Sequence, residues 1–298
     1  MKKYAVALGS FDGLHLGHMA VINKALSFKA EGYIPCALVF DVHPMNVTGA
    51  GAPVELMTAQ ARDKMLESLG VEIKKISFES IMNLSAREFV SEVLLKELGA
   101  GAVCCGYNYY FGCGAKADSK ELSTLCAEFG IACEVAEKIE YDGAPVSSTR
   151  IREALQNGDI ELANRMLGRE FSYDFVVVSG DRRGRLIGAP TINQHFPDGF
   201  IVPKFGVYVS AVCVNGELHP AVTNIGRRPS FTCDDLRSET CIMDFSGDLY
   251  GKNVEVKLIK YIRPERAFNS LEELGSQIAV DAKTAKEVFA KYEFMTCI

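Results

Sequence analysis

Apolar residues fall in two different rhythms along this chain, and the change of rhythm divides it. In the first half short apolar runs alternate with longer segments that repeat every three to four positions. "YAVAL" reads as a buried strand, and "GHMAVINKALSFKAEG" as a helix closed by Gly32. "IPCALVF" is a second strand, and "TAQARDKMLESLG" a helix with Thr58 as its N-cap and Gly70 past its end. "VEIKKISF" is a strand, and "SAREFVSEVLLKELG" opens with Ser85 and Glu88 in capping-box spacing. "AVCCG", "SKELSTLCAEFG" and "IACEVAEKI" continue as strand, helix and strand. Strands alternating with helices predict a parallel sheet wrapped by helices, with ligands at the carboxyl ends of the strands.

Two short helices, "SSTRIREALQNG" and "DIELANRMLG", close this half. From about residue 170 the rhythm becomes short strands divided by Gly, Pro and Asn: "FVVVSG", "GVYVSAVCVNG", "AVTNIG", "ETCIMDF", "NVEVKLIKYI". That spacing predicts an antiparallel barrel or sandwich. "SLEELGSQIAVDAKTAKEVFAKYEF" is a C-terminal helical segment. With no repeat and no low-complexity linker, the expected division is 1–169 and 170–298, joined by a short connection.

The 298 residues are 48% hydrophobic and 23% charged, enough for ordinary cores. The net charge of −6 is a poor basis for sequence-independent nucleic-acid binding, so no nucleic-acid partner is expected. No apolar run approaches the ~18 residues of a membrane span, and the run after the first two lysines is shorter than a signal-peptide core. No membrane partner is expected, and the default location is the cytoplasm. Ten cysteines occur without a C-x-x-C pair, which reads as ten reduced thiols, several of them buried.

Three stretches of the first half carry candidate chemistry. In "GSFDGLHLGH" a strand ends at Gly9 and a helix starts near Gly17, with His15 and His18 between and after. Small residues there let a phosphate reach the free N–H groups of a helix start, and two imidazoles can donate hydrogen bonds to its oxygens. The alternative is a pair of histidines that cap or pack. In "VSSTRIREAL", Ser147, Ser148 and Thr149 precede Arg150 and Arg152 at a helix start, which makes either an anion site or ordinary serine capping. "GYNYYFGCGAKAD" offers Tyr107, Tyr109, Tyr110 and Phe111 to flank a flat ring, with Asn108 as donor and acceptor; alternatively those aromatics are half core. "FDVHPMNVTGAGAPVEL" is a loop long enough to be a lid or a binding loop.

In the second half, "GDRRGRLIGAPTIN" is a glycine-rich loop with a hydroxyl and an amide at Thr191 and Asn193, both hard-oxygen donors suited to Mg²⁺. Glu239 in "SETCIMDF" is either a surface carboxylate or, if it faces a site, a base for an attacking hydroxyl.

The string "GSFDGLHLGH", "FDVHP", "GYNYYFG", "SSTRIR", followed by "GDRRGRLIGAPTIN", "NIGRRPSF", "ETCIMDFSGDLYGK" and "IRPERAF", resembles the bacterial FAD synthetase family, the bifunctional riboflavin kinase/FMN adenylyltransferases. The resemblance implies an N-terminal Rossmann-like nucleotidyltransferase domain with a parallel sheet, and a C-terminal antiparallel β-barrel kinase module with a C-terminal helix. It implies that Gly9, Phe11, Asp12, His15, Gly17, His18, Asn108, Ser147, Ser148, Thr149 and Arg152 serve ATP and adenylyl transfer to FMN, giving FAD and pyrophosphate. It likewise implies that Gly180, Gly184, Arg185, Gly188 and Pro190 cradle a nucleotide and that Thr191 and Asn193 hold Mg–ATP. Glu239 would then deprotonate the riboflavin 5′-hydroxyl for attack on the γ-phosphate. Riboflavin, FMN and FAD are then substrates and products, with Mg²⁺ and ATP shared by both steps, and the oligomeric state is left open.

The chain departs from the family pattern at Tyr110 and in "CGAKAD", where basic residues are usual, and at Phe175, Ala189, Ile192 and Ser230. The alternative reading is an FMN adenylyltransferase whose kinase-like module binds flavin but turns over weakly. A flavin sensor that has lost catalysis is a third reading, against which stands the retention of His15, His18, Thr191, Asn193 and Glu239.

Overall fold

The structure, a computed structural model, describes residues 3–41, 47, 51–179, 191–228 and 235–295. Contacts divide the chain into two units, Met1–Ser148 and Thr149–Ile298.

The first unit is built on five parallel strands: β1 (Tyr4–Leu8), β2 (Ile34–Phe40), β3 (Glu72–Ile76), β4 (Ala100–Gly106) and, after a two-strand ladder β5 (Tyr110–Phe111) and β6 (Ala117–Asp118), β7 (Ala132–Ala136). Their order is β3-β2-β1-β4-β7, so the winding direction reverses between β1 and β4. Loops leaving the carboxyl ends of that pair diverge to opposite faces and open a crevice. The unbroken apolar runs of the strands reflect burial on both faces. Val6 and Leu8 of β1 enter one core with Val103, Cys105, Leu122 and Phe89. Ala5 and Ala7 enter the other with Ala37, Ala102, Met19 and Ile22. Alanines on that face leave room for helix α1 (Leu16–Ser27), whose Met19, Val21, Ile22 and Ala25 are buried.

Local signals fix the other helices. α2 (Ala59–Ser68) starts where the Thr58 side chain accepts from the Ala61 N–H. Ser85 and Glu88 form the full capping box expected of them, and the turn Ala86–Glu88 runs on in π-helical form over Phe89–Glu97 as α3. α4 (Ser119–Glu128) is capped by Asp118. A hairpin of β8 (Glu140–Tyr141) and β9 (Ala144–Pro145) turns at Asp142 and Gly143, both at positive φ, as an Asp-Gly pair allows.

Helix α5 (Ser148–Asn157) begins at the division between the units. In the second unit, α6 (Ile160–Leu167) is followed by six antiparallel strands and a last helix. The strands are β10 (Phe171–Val176), β11 (Thr191–His195), β12 (Gly206–Val214), β13 (Glu217–Arg228), β14 (Asp235–Ile242) and β15 (Asn253–Arg263), and the helix is α7 (Leu271–Phe289). The sheet runs β10-β15-β12-β13-β14-β11 and curls until its two edge strands meet. Val178 bridges to Asn193, and the Gln194 side-chain amide donates to Phe175 O at 2.6 Å and Val254 O at 2.8 Å. The barrel expectation therefore holds, although β10 starts earlier than "FVVVSG" suggested. Asn164, fully buried on α6, donates to Leu258 O at 2.9 Å and accepts from the Phe171 N–H at 2.8 Å, tying helix to strands. α7 covers the outer face of the sheet, packing Ala285 against Val209, Ala211 and Ile259.

Candidate functional site

The turn after β1 is held in an unusual conformation. Phe11, Gly13 and Leu14 all have positive φ, at 54°, 78° and 37°. Phe11 and Leu14 are fully buried in the core of that face, so packing stabilises a backbone that L-residues disfavour. At Gly13 a Cβ would lie 2.8 Å from Leu56 Cδ1, so both conformation and space require glycine. Asp12 ties the turn to its surroundings: Oδ1 accepts from the Leu56 N–H at 2.8 Å, and its carbonyl accepts from the Ser148 hydroxyl at 3.0 Å. Phe11 and Asp12 thus shape the turn, and neither lines the cavity beside it.

His15 is the N-cap of α1, its Nδ1 accepting from the His18 N–H at 3.3 Å. The capping alternative is therefore real, and it serves the chemical one: with Nδ1 committed as acceptor, the neutral ring carries its proton on Nε2 as a donor. The two imidazoles stack, with centroids 3.7 Å apart, and Phe11 meets His18 edge-on at 5.5 Å. Gly17 has to be small, because a Cβ there would lie 3.1 Å from the His15 ring. A Cβ at Gly9 would press on the Phe11 ring at 3.2 Å.

These groups open onto a cavity of about 790 Å³ at the carboxyl ends of the strands. Its polar lining includes Gly9, Ser10, His15, Gly17, His18, Asn108, Ser147 and Ser148. Its apolar and aromatic lining includes Phe40, Phe78, Ile81, Met82, Phe89, Tyr109 and Phe111. A volume of this size, apolar with a few convergent polar groups, suits a drug-sized or nucleotide ligand. Tyr109 and Phe111 stack at 5.8 Å, and burial pushes the Tyr109 hydroxyl well above its usual range. They are both core and cavity wall, and Tyr107 and Tyr110 line the same cavity with exposed side chains. The sequence reading missed Phe40, Phe78, Ile81, Met82 and Phe89. The short apolar group "FESIM" between β3 and α3 was the available signal.

Thr149 is exposed, and Arg150 and Arg152 are half-buried, on α5 beyond the first unit. Most of the "FDVHP" loop lies outside the described residues, as do Gly180, Gly184, Arg185, Gly188, Pro190, Ala189 and Ser230.

In the second unit the strand register arranges the predicted residues. Asn193 of β11 lies directly opposite Glu239 of β14, and Glu239 opposite Asn224 of β13. Residues directly opposite in a sheet share a face, and so do residues two apart on one strand. Thr191, Asn193, Glu239 and Asn224 therefore stand on the outer face of the barrel. The intervening positions point inward, where Thr240, Thr223 and Ser210 form a buried hydroxyl chain with steps of 2.9 and 2.7 Å. Ile192 pairs with Thr240 and so turns away from Thr191 and Asn193. Phe175 packs among Tyr173, Phe196 and Phe200. Two of the departures from the family pattern are thus fillers of the barrel interior. The hydroxyl of Thr191 and the amide oxygen of Asn193, a residue that is largely buried, are hard-oxygen groups of the kind that suits Mg²⁺, and the Glu239 carboxylate stands beside them.

Comparison with known proteins matches the FAD synthetase family to residues 1–150 and the riboflavin kinase family to residues 167–289. A protein of Bacillus subtilis (strain 168) described as a bifunctional riboflavin kinase/FMN adenylyltransferase is 35% identical over 297 residues, 97% of this chain and 93% of its own length. A protein of Escherichia coli (strain K12) with the same description is 33% identical, covering 95% of this chain and 92% of its own. A solved structure from Streptococcus pneumoniae, described as a macrolide-efflux protein, superposes with a TM-score of 0.86 at 28% identity over 98% of this chain and 96% of that one. That description belongs to that protein; among the described residues here no helix is long and apolar enough to cross a membrane. By both family matches and by relatives that align along nearly its whole length, the chain belongs to the family of bifunctional riboflavin kinase/FMN adenylyltransferases.

Proposed function

We infer that this chain carries out both reactions of its family, phosphorylating riboflavin to FMN with ATP and transferring the adenylyl group of a second ATP to FMN. The observation that carries the reading is that each family match contains its own constellation. His15, His18 and Asn108 stand around one cavity in residues 1–150, and Thr191, Asn193 and Glu239 on one sheet face in residues 167–289. We assign adenylyl transfer to 1–169 and phosphorylation to 170–298.

In adenylyl transfer the flavin ring lies against the aromatic lining of the cavity, which excludes water and holds a flat apolar system. The ATP phosphates lie at the polar groups, against the start of α1 and the serines Ser147 and Ser148. The FMN phosphate attacks the α-phosphorus in line, and pyrophosphate leaves. His15 donates from Nε2, and His18 donates beside it, to oxygens whose charge rises in the transition state; no covalent intermediate is needed. Asn108, at the carboxyl end of β4, hydrogen-bonds the reacting groups across the crevice from the histidines.

In the kinase reaction Glu239 takes the proton of the riboflavin 5′-hydroxyl, and Thr191 and Asn193 orient the nucleotide and its ion. Mg²⁺ held by Thr191 and Asn193 would neutralise the charge that develops on the transferred phosphate. The retention of Thr191, Asn193 and Glu239 on one sheet face supports an active kinase module over one that only binds flavin.

The test is a chromatographic time course with riboflavin, ATP and Mg²⁺. FMN followed by FAD is expected. FAD from supplied FMN only would restrict the chain to adenylyl transfer, and neither product under either condition would overturn the reading.

A further inference from the structure

α4 lies on the face of the first sheet that presents Val103 and Cys105 from β4 and Cys133 and Val135 from β7, with Val103 directly opposite Cys133 and Cys105 opposite Val135. Cys126, fully buried on the last turn of α4, points into the same cluster. A tight turn brings it back onto the strand: the carbonyl of Cys126 accepts from the N–H of Ile131 at 2.8 Å, with Gly130 at φ 70°. Cys126 and Cys133 are thereby brought into one cluster although seven positions separate them, and each sulfur shifts the acidity of the other. The Ser123 hydroxyl lies 3.4 Å from Cys133 Sγ. Cys133 is half-buried on β7, the edge strand, and Cys126 is fully buried.

We propose that Cys126 and Cys133 are a thiol–disulfide exchange site, with Cys133 the attacking sulfur, Cys126 the resolving one and a low-molecular-weight disulfide the oxidant. The Cys133 thiolate attacks one sulfur of the external disulfide, forming a mixed disulfide and releasing one thiolate. Cys126 then gives up its proton to that thiolate and attacks Cys133 Sγ. The Cys126–Cys133 bond forms as the bond from Cys133 to the external sulfur breaks, and the second thiolate leaves and takes up the proton that Cys133 had released. Two electrons and two protons pass from the pair to the external disulfide, which is reduced to two thiols.

The surroundings separate the two roles. The neighbouring Cys126 thiol, then the Ser123 hydroxyl, favours the thiolate at Cys133 against the cost of its burial, so its acidity is enhanced. The neighbouring Cys133 sulfur, with burial, keeps Cys126 protonated. Cys105, in the same cluster, is pushed by burial up to about 12 and stays a thiol. None of these residues belongs to the cavity lined by His15 and His18.

Trypsin cleaves after Lys120 and Lys138 and nowhere between, so one peptide holds Cys126 and Cys133 and no other cysteine. The full-length protein is treated with oxidised glutathione, quenched with an alkylating agent and digested. The expected product is peptide 121–138 lighter by two hydrogen atoms and unalkylated. In Cys126→Ser the same peptide is expected to carry one glutathione on Cys133, and in Cys133→Ser none on Cys126. The proposal is overturned if the wild-type peptide keeps both thiols alkylated while exposed Cys113 is modified, or if glutathione remains on Cys133 of the wild type. The wild-type measurement stands by itself if a variant does not fold.

Discussion

The rings of His15 and His18 lie nearly parallel, centroids 3.7 Å and planes 16° apart, because His15 caps the helix whose first turn contains His18. One hydrogen bond thus sets both the start of α1 and the face the pair shows to the cavity.

That coupling is separable by substitution. Asparagine is a good N-cap but offers no Nε2–H at the imidazole position. His15→Asn is expected to leave the melting temperature close to that of the wild type while FAD formation from FMN falls by about 10²–10³, the usual cost of one transition-state donor. His18→Ala should lose activity to a similar degree. FMN formation from riboflavin should persist in both. Equal loss of both reactions would point to misfolding instead.

Glu239→Gln keeps the size of the side chain opposite Asn193 and removes its basicity. FMN formation is expected to drop by about 10²–10⁴, the range for loss of a positioned general base. FAD formation from supplied FMN should be unaffected. Retention of kinase activity would remove Glu239 from the mechanism.

Asn164 answers two buried backbone groups with one amide, the Phe171 N–H and the Leu258 carbonyl. Asn164→Leu fills the space and orphans both, which is expected to cost about 2–6 kcal/mol, at about 1–3 kcal/mol for each unsatisfied group. Denaturant unfolding of the second unit measures it. A cost below about 0.5 kcal/mol would show that these groups find other partners.

His195 lies directly opposite Arg237 across β11 and β14. Burial, and then the Arg237 charge, lower its pKa from 6.5. The unfolded chain therefore takes up the proton more readily than the folded one. The stability held by the neutral ring is complete above about pH 6.5 and is lost as pH falls towards the lowered value. Compared with His195→Gln, the wild type should gain stability between about pH 5 and pH 7. Parallel unfolding curves for the two proteins over that window would show that the ring does not titrate with folding.

The sequence alone determined the division into a parallel α/β half and an antiparallel half, the helix starts at Thr58 and Ser85, and the glycine-histidine turn. Each of these is written in local signals: the period of apolar positions, a capping residue, a glycine at positive φ. The order of strands, β3-β2-β1-β4-β7, is not local, and it is this order that places Gly9 and Asn108 at one crevice. Phe11 was legible as part of a motif, but only packing shows that it sits beneath the ligand turn, in the core. Thr191, Ile192 and Asn193 are consecutive; the pairing of β11 with β14 decides that the first and third face out beside Glu239 while Ile192 faces in. Cys126 and Cys133 read as two scattered thiols until α4 folds back onto β7. In each case the deciding contact joins residues far apart in the chain or on different elements, and burial of apolar surface selects it. A single strand's pattern shows which of its residues share a face, and only the assembled sheet shows what that face meets.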